Sequence, residues 1–524
     1  MKTEKELLMY YHTTIRNIGL FTSLSFAALS YSRFYRGKNK LYNIILLVFI
    51  SIGFVACEDY VDYEASEGYT IVAGDYFTKA ADYEAALVGT YDVLQWNIYS
   101  VMIGDMASGN SYCGGESATD VIGLQKIDDM IHNPVNDQLE STWKWMYEGI
   151  NRANYLVENK DKVEFSRKAE LYGEVHFLRA YYYFELVKIF GGVPVFTESR
   201  LTAGDSGTLS RATASEVYAQ IETDLQAAIA ALPAEKSLDG RATSFTAHAL
   251  LGKVYLYQDK FDEAASILEP LIGLYSLAPD LQNVFLTSGE NGSESVFEVQ
   301  HSKASNWFDW GFPQGSEGNF GIIHHGIRGY NGSVYAQGWS FNVPTQELYD
   351  AYADGDSRRD VAILDIAAWA TSTGAEYTEG YEHTGYFNHK YIPRAGSTAA
   401  QGELNYEMNY RAIRYSDVLL MAAEANNRKA SADDAKAQNY LNQVRARAFG
   451  NDSQASSSTG ATLTQEIWDE RRLELAMEGH RFFDLVRTGE AAAKVSGFIS
   501  GKHEVFPIPQ SEIDISGLTQ NSGY

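Results

Sequence analysis

The side chains in this sequence best suited to recognition chemistry are flat aromatic rings set beside amide and guanidinium groups. Two stretches combine them. One is Gln95-Trp96-Asn97 with Asn110-Ser-Tyr112; the other is Trp307, Trp310, Tyr330 and Trp339, with Arg328 nearby. Rings of this kind stack on the apolar faces of an amphipathic ligand, while amides and Arg bond its polar groups. Trp96, Asn97, Tyr112, Trp307, Trp310, Arg328, Tyr330 and Trp339 are therefore the candidate ligand contacts, with packing under long loops as the alternative for each Trp. Glu470, Glu474 and Glu478 recur at four-residue steps beside Arg471, Arg472 and Arg481. Glycosidic-bond cleavage needs only two acids about 5 to 10 Å apart. The interleaved guanidinium groups instead favour a helix over 470–487 laced by charge pairs. Arg414, Asp417, Met421 and Glu424 fall on one helical face and suggest an ion-pair network fastening neighbouring helices. His324-His325 could ligate a metal, but adjacent histidines need not converge and a loop pair is usually solvated, so no metal is assigned. H-E-x-x-H, G-x-S-x-G and P-loop motifs are absent, and no catalytic residue or cofactor is assigned.

Cys57 carries a different chemistry. It follows a basic stretch, Arg36–Lys40, and an apolar run from Leu41 to Ala56, the order of a secretory signal peptide. The run is short for a bilayer span of roughly 20 residues. It ends Phe54-Val55-Ala56-Cys57, which resembles a bacterial lipobox with Phe54 where Leu is usual. Glu58, Asp59, Asp62 and Glu64 then resemble the acidic tether of surface-exposed lipoproteins. These features predict a lipidated Cys57 and a chain anchored on the cell surface. Residues 1–35 carry their own apolar patch, Ile18–Tyr31, and are read as an overextended gene start. No Met lies between Met9 and Met102, so a start near residue 36 would need another codon.

The chain has 524 residues, a net charge of -26, and 36 Tyr among its 13% aromatics. Such an acidic surface repels phosphate backbones and anionic lipid, which argues against a nucleic-acid partner and for neutral ligands. With only two cysteines, neither a disulfide framework nor a structural zinc site is expected.

The elements that must position these groups read as mainly α-helical from Tyr76 to about Pro279. The pattern predicts a helix over 170–190, ended by Gly191-Gly192 and Pro194. Another starts at Thr213, where Thr213 and Glu216 form a capping box, and runs to Leu232. Leu251, Gly252, Tyr255 and Ala264 stand at the spacing of a tetratricopeptide helix pair, and a similar pair recurs over 413–427 and 432–448. Repeats of this kind bury their apolar faces only by stacking into a superhelix. Between about 282 and 410 the helical period fails, and a long, aromatic, loop-rich region is expected to face the ligand.

Several segments, in order, resemble the SusD/RagB family: Arg179–Leu186 with Phe190–Pro194, Arg211–Tyr218, Tyr410–Met421 with Glu424-Ala425, Glu470–Arg487, and Phe506–Glu512. The resemblance runs from Cys57 to Tyr524. It implies a tetratricopeptide-like superhelix with a loop-rich aromatic insertion. It further implies an outer-membrane lipoprotein that binds oligosaccharide or polysaccharide and serves as a lid on a SusC-like TonB-dependent transporter, without catalytic activity. Sugar rings are amphipathic ligands of the kind the aromatic stretches suit. A secreted glycan-cleaving enzyme and a protein-binding repeat scaffold are the alternatives. The expected organisation is a leader and signal peptide over 1–56, a lipidated acidic tether over 57–75, and one domain over 76–524.

Overall fold

Helices α4 (Asp137–Glu158) and α5 (Lys168–Phe190) set the spacing of the first half of the molecule. A Cβ on Gly149 of α4 would stand 2.4 Å from the Tyr182 ring of α5, so only glycine permits this approach. Nearly every residue of α5 from Leu171 to Phe190 is buried, as a helix apolar all round must be. Gly191, at φ 72°, ends it as the sequence predicts.

The computed structural model describes residues 76–524 apart from 203, 206, 208, 306–314 and 399–403. Cys57, the leader and the tether, together with Trp307 and Trp310, lie outside the described residues. From Phe77 to Tyr524 the chain forms one compact unit. Its other helices of seven or more residues are α1 (Ala80–Asp92), α2 (Ser100–Met106), α3 (Ile122–Asp128), α6 (Ala214–Ala231), α7 (Ser244–Leu256), α8 (Phe261–Leu268), α9 (Ile366–Thr373), α10 (Tyr415–Arg428), α11 (Asp434–Phe449), α12 (Gly460–Glu474), α13 (Arg481–Arg487) and α14 (Gln510–Ser516).

α4 to α8 pack in sequence order, α8 then packs on α10, and α10 on α11 and α12, so one helical array continues across the excursion between 300 and 409. A mainly α, tetratricopeptide-like fold is thus observed. The capping box at Thr213 and Glu216 is present. Gly252 admits Leu268 so closely that a Cβ would lie 2.3 Å from its side chain, which is the close contact the repeat spacing implies.

Strand β2 (Ser295–Val299) pairs antiparallel with β6 (Tyr410–Arg414) and pins both ends of the excursion to the array. Inside it, β3 (Asn342–Pro344) pairs with the earlier β1 (Ser111–Cys113), and β4 (Ile363–Asp365) with β5 (Tyr386–Asn388). The region is therefore more ordered than the loop-rich expectation.

Three expectations need correction. The helix placed over 413–427 starts at Tyr415, because Arg411 and Ile413 are taken up by pairing with β2. Arg414 accordingly ends a strand and does not share a helical face with Asp417. The helix expected over 470–487 breaks: α12 ends at Glu474, Met477 adopts φ 64° and Gly479 φ 83° before α13 begins. Gly104 of α2 lies against this turn, where a Cβ would meet the Gly479 carbonyl at 1.9 Å. Finally, His324 and His325 are buried, not solvated, in a 3-10 turn over Phe320–His325.

Around the break lies the charge network. Arg414 donates to Glu478 at 2.7 and 2.8 Å and to Glu474 at 2.9 Å, and Lys390 bonds Glu478 at 2.6 Å, all buried; the half-buried Arg447 bonds Glu474 at 2.6 Å. Burial alone would push the Glu478 carboxyl up, but Arg414 and Lys390 override it and hold it below its ordinary value. For Glu474 the same contest, against Arg447, Arg414 and Arg358, also ends in a lowered value.

Candidate ligand-binding platform

The segment after α1 turns sharply to present its rings. Val93–Trp96 is a 3-10 turn, and Asn97, at φ -76° and ψ 59°, centres an inverse γ-turn in which Ile98 N–H donates to the Trp96 carbonyl at 2.7 Å. Asn97 Nδ2 donates to Glu185 on α5 at 3.3 Å, which ties the turn to the array. Trp96 has one face taken by Arg152, whose guanidinium sits 4.6 Å from the ring centroid while bonding Asp92 and Glu148.

Two residues on, Tyr99 stacks on Trp145 of α4, with centroids 5.6 Å apart and planes at 16°. Tyr99 also meets the edge of His324 at 6.3 Å, and His324 meets Trp339 at 4.9 Å. Trp145, Tyr99 and Trp339 are each half-buried and His324 is fully buried, so three partly exposed rings are joined through one core ring. Burial pushes the Tyr99 phenol up to about 12 and His324 down to about 4. Both are neutral at pH 7, and the stripe is an uncharged surface suited to stacking.

The backbone of Trp339 links this stripe to the second candidate region. Its carbonyl accepts from Arg328 Nη2 at 2.9 Å, and Arg328 Nε donates to Ser340 Oγ at 3.3 Å. Asp120 approaches the same guanidinium at 3.9 Å. Gly114 and Gly115 N–H donate to Phe341 and Ser340 carbonyls, each at 2.8 Å, extending the β1–β3 pair. Tyr112, 43% exposed, stands on β1 opposite Val343. The segments around 96–112 and 328–341 therefore meet.

Tyr330 lies elsewhere: it is 8% exposed, packed with Ile327, Tyr335 and Phe387, and its hydroxyl accepts from Trp369 Nε1 at 3.1 Å. Tyr99, Trp145 and His324 were not singled out from sequence as ligand contacts. A signal existed, because Trp143 and Trp145 are two apart on a helix and point to opposite sides. Trp143 is 3% exposed, which leaves Trp145 turned outward.

The acids that could have formed a glycosidase pair are unsuited to it. A general acid needs a raised pKa, and Glu474 and Glu478 are held low by buried cations. Among the described residues, no group of three or more His, Cys, Asp or Glu could hold a metal, and no helix is long and apolar enough to cross a membrane.

Known proteins share this arrangement of chain. Residues 365–505 match the family model described as SusD family, and residues 84–256 match one described as starch-binding associating with outer membrane. A solved laminarin binding SusD-like protein is 37% identical, with TM-score 0.78 and coverage of 86% of this chain and 100% of its own. Surface glycan-binding protein A from Bacteroides thetaiotaomicron, solved in complex with laminarihexaose, is 28% identical, with TM-score 0.74 and coverage of 85% and 100%. SusD-like protein P2 of Formosa agariphila is 26% identical over 523 residues, covering 93% of this chain and 100% of the relative.

Proposed function

The chain belongs to the SusD/RagB family, and from that premise we propose that it is a cell-surface glycan-binding lipoprotein taking laminarin-type chains on the Trp145–Tyr99–Trp339 platform. The bound glycan passes to a SusC-like TonB-dependent barrel, the partner the family implies. The observation that carries the reading is the set of three half-buried rings joined through His324, neutral at physiological pH, in a chain 37% identical to a laminarin-binding protein.

Asn97, Tyr112 and Arg328 border the stripe as hydrogen-bonding groups, with Trp96, Trp307 and Trp310 as further rings of the same site. Tyr330 contributes by shaping the excursion from beneath. Cys57 is the lipid-bearing residue that holds the protein at the outer membrane, and residues 57–75 are its tether. The protein binds without cleaving: the clustered acids near the C-terminus serve the charge network, where lowered pKa values keep them ionised.

Affinity electrophoresis of the full chain in gels containing laminarin tests this, with reducing ends measured in parallel. Retardation without new reducing ends is the expected result. Free migration in laminarin would refute the ligand, and accumulating reducing ends would refute the non-catalytic role.

A further inference from the structure

A groove of about 230 Å³ lies on the flank of α4 away from Trp145. Trp143, Tyr147 and Asn151 line it at four-residue steps, so they share one helical face, whereas Trp145 sits two positions from Trp143 on the other. The remaining walls come from Pro194, Phe196, Leu201 and Leu209 and from Glu512, Ser516 and Leu518 near the C-terminus. From these features we infer that the groove is a second glycan subsite, sized for one hexose unit and separate from the platform; this rests on the glycan-binding reading above.

Its aromatic wall is fixed in place. Tyr147 lies nearly parallel to Phe196, with centroids 5.8 Å apart and planes at 12°, and its hydroxyl donates to the Pro194 carbonyl at 2.8 Å. Asn151 bonds the backbone of Leu201 in both directions, accepting from its N–H at 2.7 Å and donating to its carbonyl at 3.2 Å. These bonds hold the segment 194–201 against α4 before any ligand arrives, which lowers the ordering cost of binding. The carboxylates of Glu148, which follows Tyr147 on α4 and pairs with Arg152 at 2.8 Å, and of Glu512, which bonds the Trp143 indole from α14, line the groove beside these rings as acceptors for hydroxyl groups. Apolar ring surface beside acceptors matches a sugar, which carries apolar C–H faces and a rim of hydroxyls. Two carboxylates against one lysine, Lys144, leave the groove acidic on balance, which disfavours an anionic ligand in the same space.

Native mass spectrometry of the full chain, released from detergent with excess laminarihexaose, counts the sites. Two hexasaccharides per wild-type chain are expected. Ser516→Trp, which fills the groove from α14, is expected to retain one, and Trp145→Ala/Trp339→Ala, which removes the platform, is also expected to retain one. Glu512→Gln keeps the groove's shape and should weaken the second occupancy severalfold; it also serves if Ser516→Trp fails to fold. One hexasaccharide on wild type and none on the platform variant overturns the groove while leaving the platform intact. No hexasaccharide on any form overturns both.

Discussion

Tyr99 and Trp145 lie face to face, 5.6 Å apart and 16° from parallel, although one caps α2 and the other projects from the middle of α4. The contact joins the turn after the first helix to the helical array and orients both rings toward the excursion that carries His324 and Trp339.

The neighbouring Trp143 provides an internal control. Trp143→Ala should cost about 3 to 5 kcal/mol of stability, because it empties a packed site against Phe190. Trp145→Ala, two residues away, should cost about 1 kcal/mol or less, the size of a lost stacking contact. Urea denaturation of the two variants measures the difference, and equal losses would mean that Trp145 is a core residue.

Arg414 should behave as the keystone of the charge network. Arg414→Met leaves Glu294, Glu474 and Glu478 buried with fewer cations, and removal of one partner of a buried pair typically costs about 3 to 5 kcal/mol. The fraction that remains folded should bind laminarihexaose as wild type does. Chemical denaturation and calorimetry on one preparation check both statements.

Acid should destabilise the protein. Burial holds His132, His301, His325 and His480 down at about 3, and His324 and His389 at about 4. The unfolded chain takes up these protons near 6.5, so the contribution of these histidines is complete above about pH 6.5 and is lost as pH falls toward 4. Asp105 and Asp128, pushed up to about 7 by burial, act in the opposite sense: their contribution is complete below about 4 and is lost as pH rises to 7. Six histidines outweigh two aspartates at up to about 1.4 kcal/mol per pH unit each. The melting temperature should therefore drop by several degrees between pH 7 and pH 5. A higher melting temperature at pH 5 would show that these rings are solvated.

Cys57→Ala should release the protein from the membrane fraction with an unchanged melting temperature, since the acceptor for lipid is gone and Phe77–Tyr524 forms a unit of its own. Fractionation and immunoblotting measure this. Equal retention of the variant would remove Cys57 as the anchor.

The sequence revealed what depends on local chemistry. Thr213 and Glu216 specify a helix start within four residues, and Gly252 specifies a close helix pair within one repeat. The break at Met477 and Gly479 was hidden because its cause is remote: Gly479 N–H donates at 3.1 Å to Asp105, a residue 374 positions away. Helical charge spacing over 470–487 reads the same with or without that contact. The burial of Tyr330 was hidden for a similar reason, because Trp369 of α9 covers it. Near the platform, Trp96, Asn97 and Trp339 are candidates on ring and amide types alone, and of these the structure sets Trp339 against His324. Tyr99 and His324 were not legible, since their role follows from a stacking geometry that no local pattern encodes.

The platform itself is tested most directly by titrating laminarihexaose into the full chain in a calorimeter, comparing wild type with Trp145→Ala and Trp339→Ala. Each ring that stacks on the glycan should contribute about 1 to 3 kcal/mol, so affinity at the stronger site should drop about 5- to 150-fold in each variant while the melting temperature stays nearly constant. Wild-type affinity in both variants, with both folded, would contradict the assignment of this aromatic stripe as the glycan site.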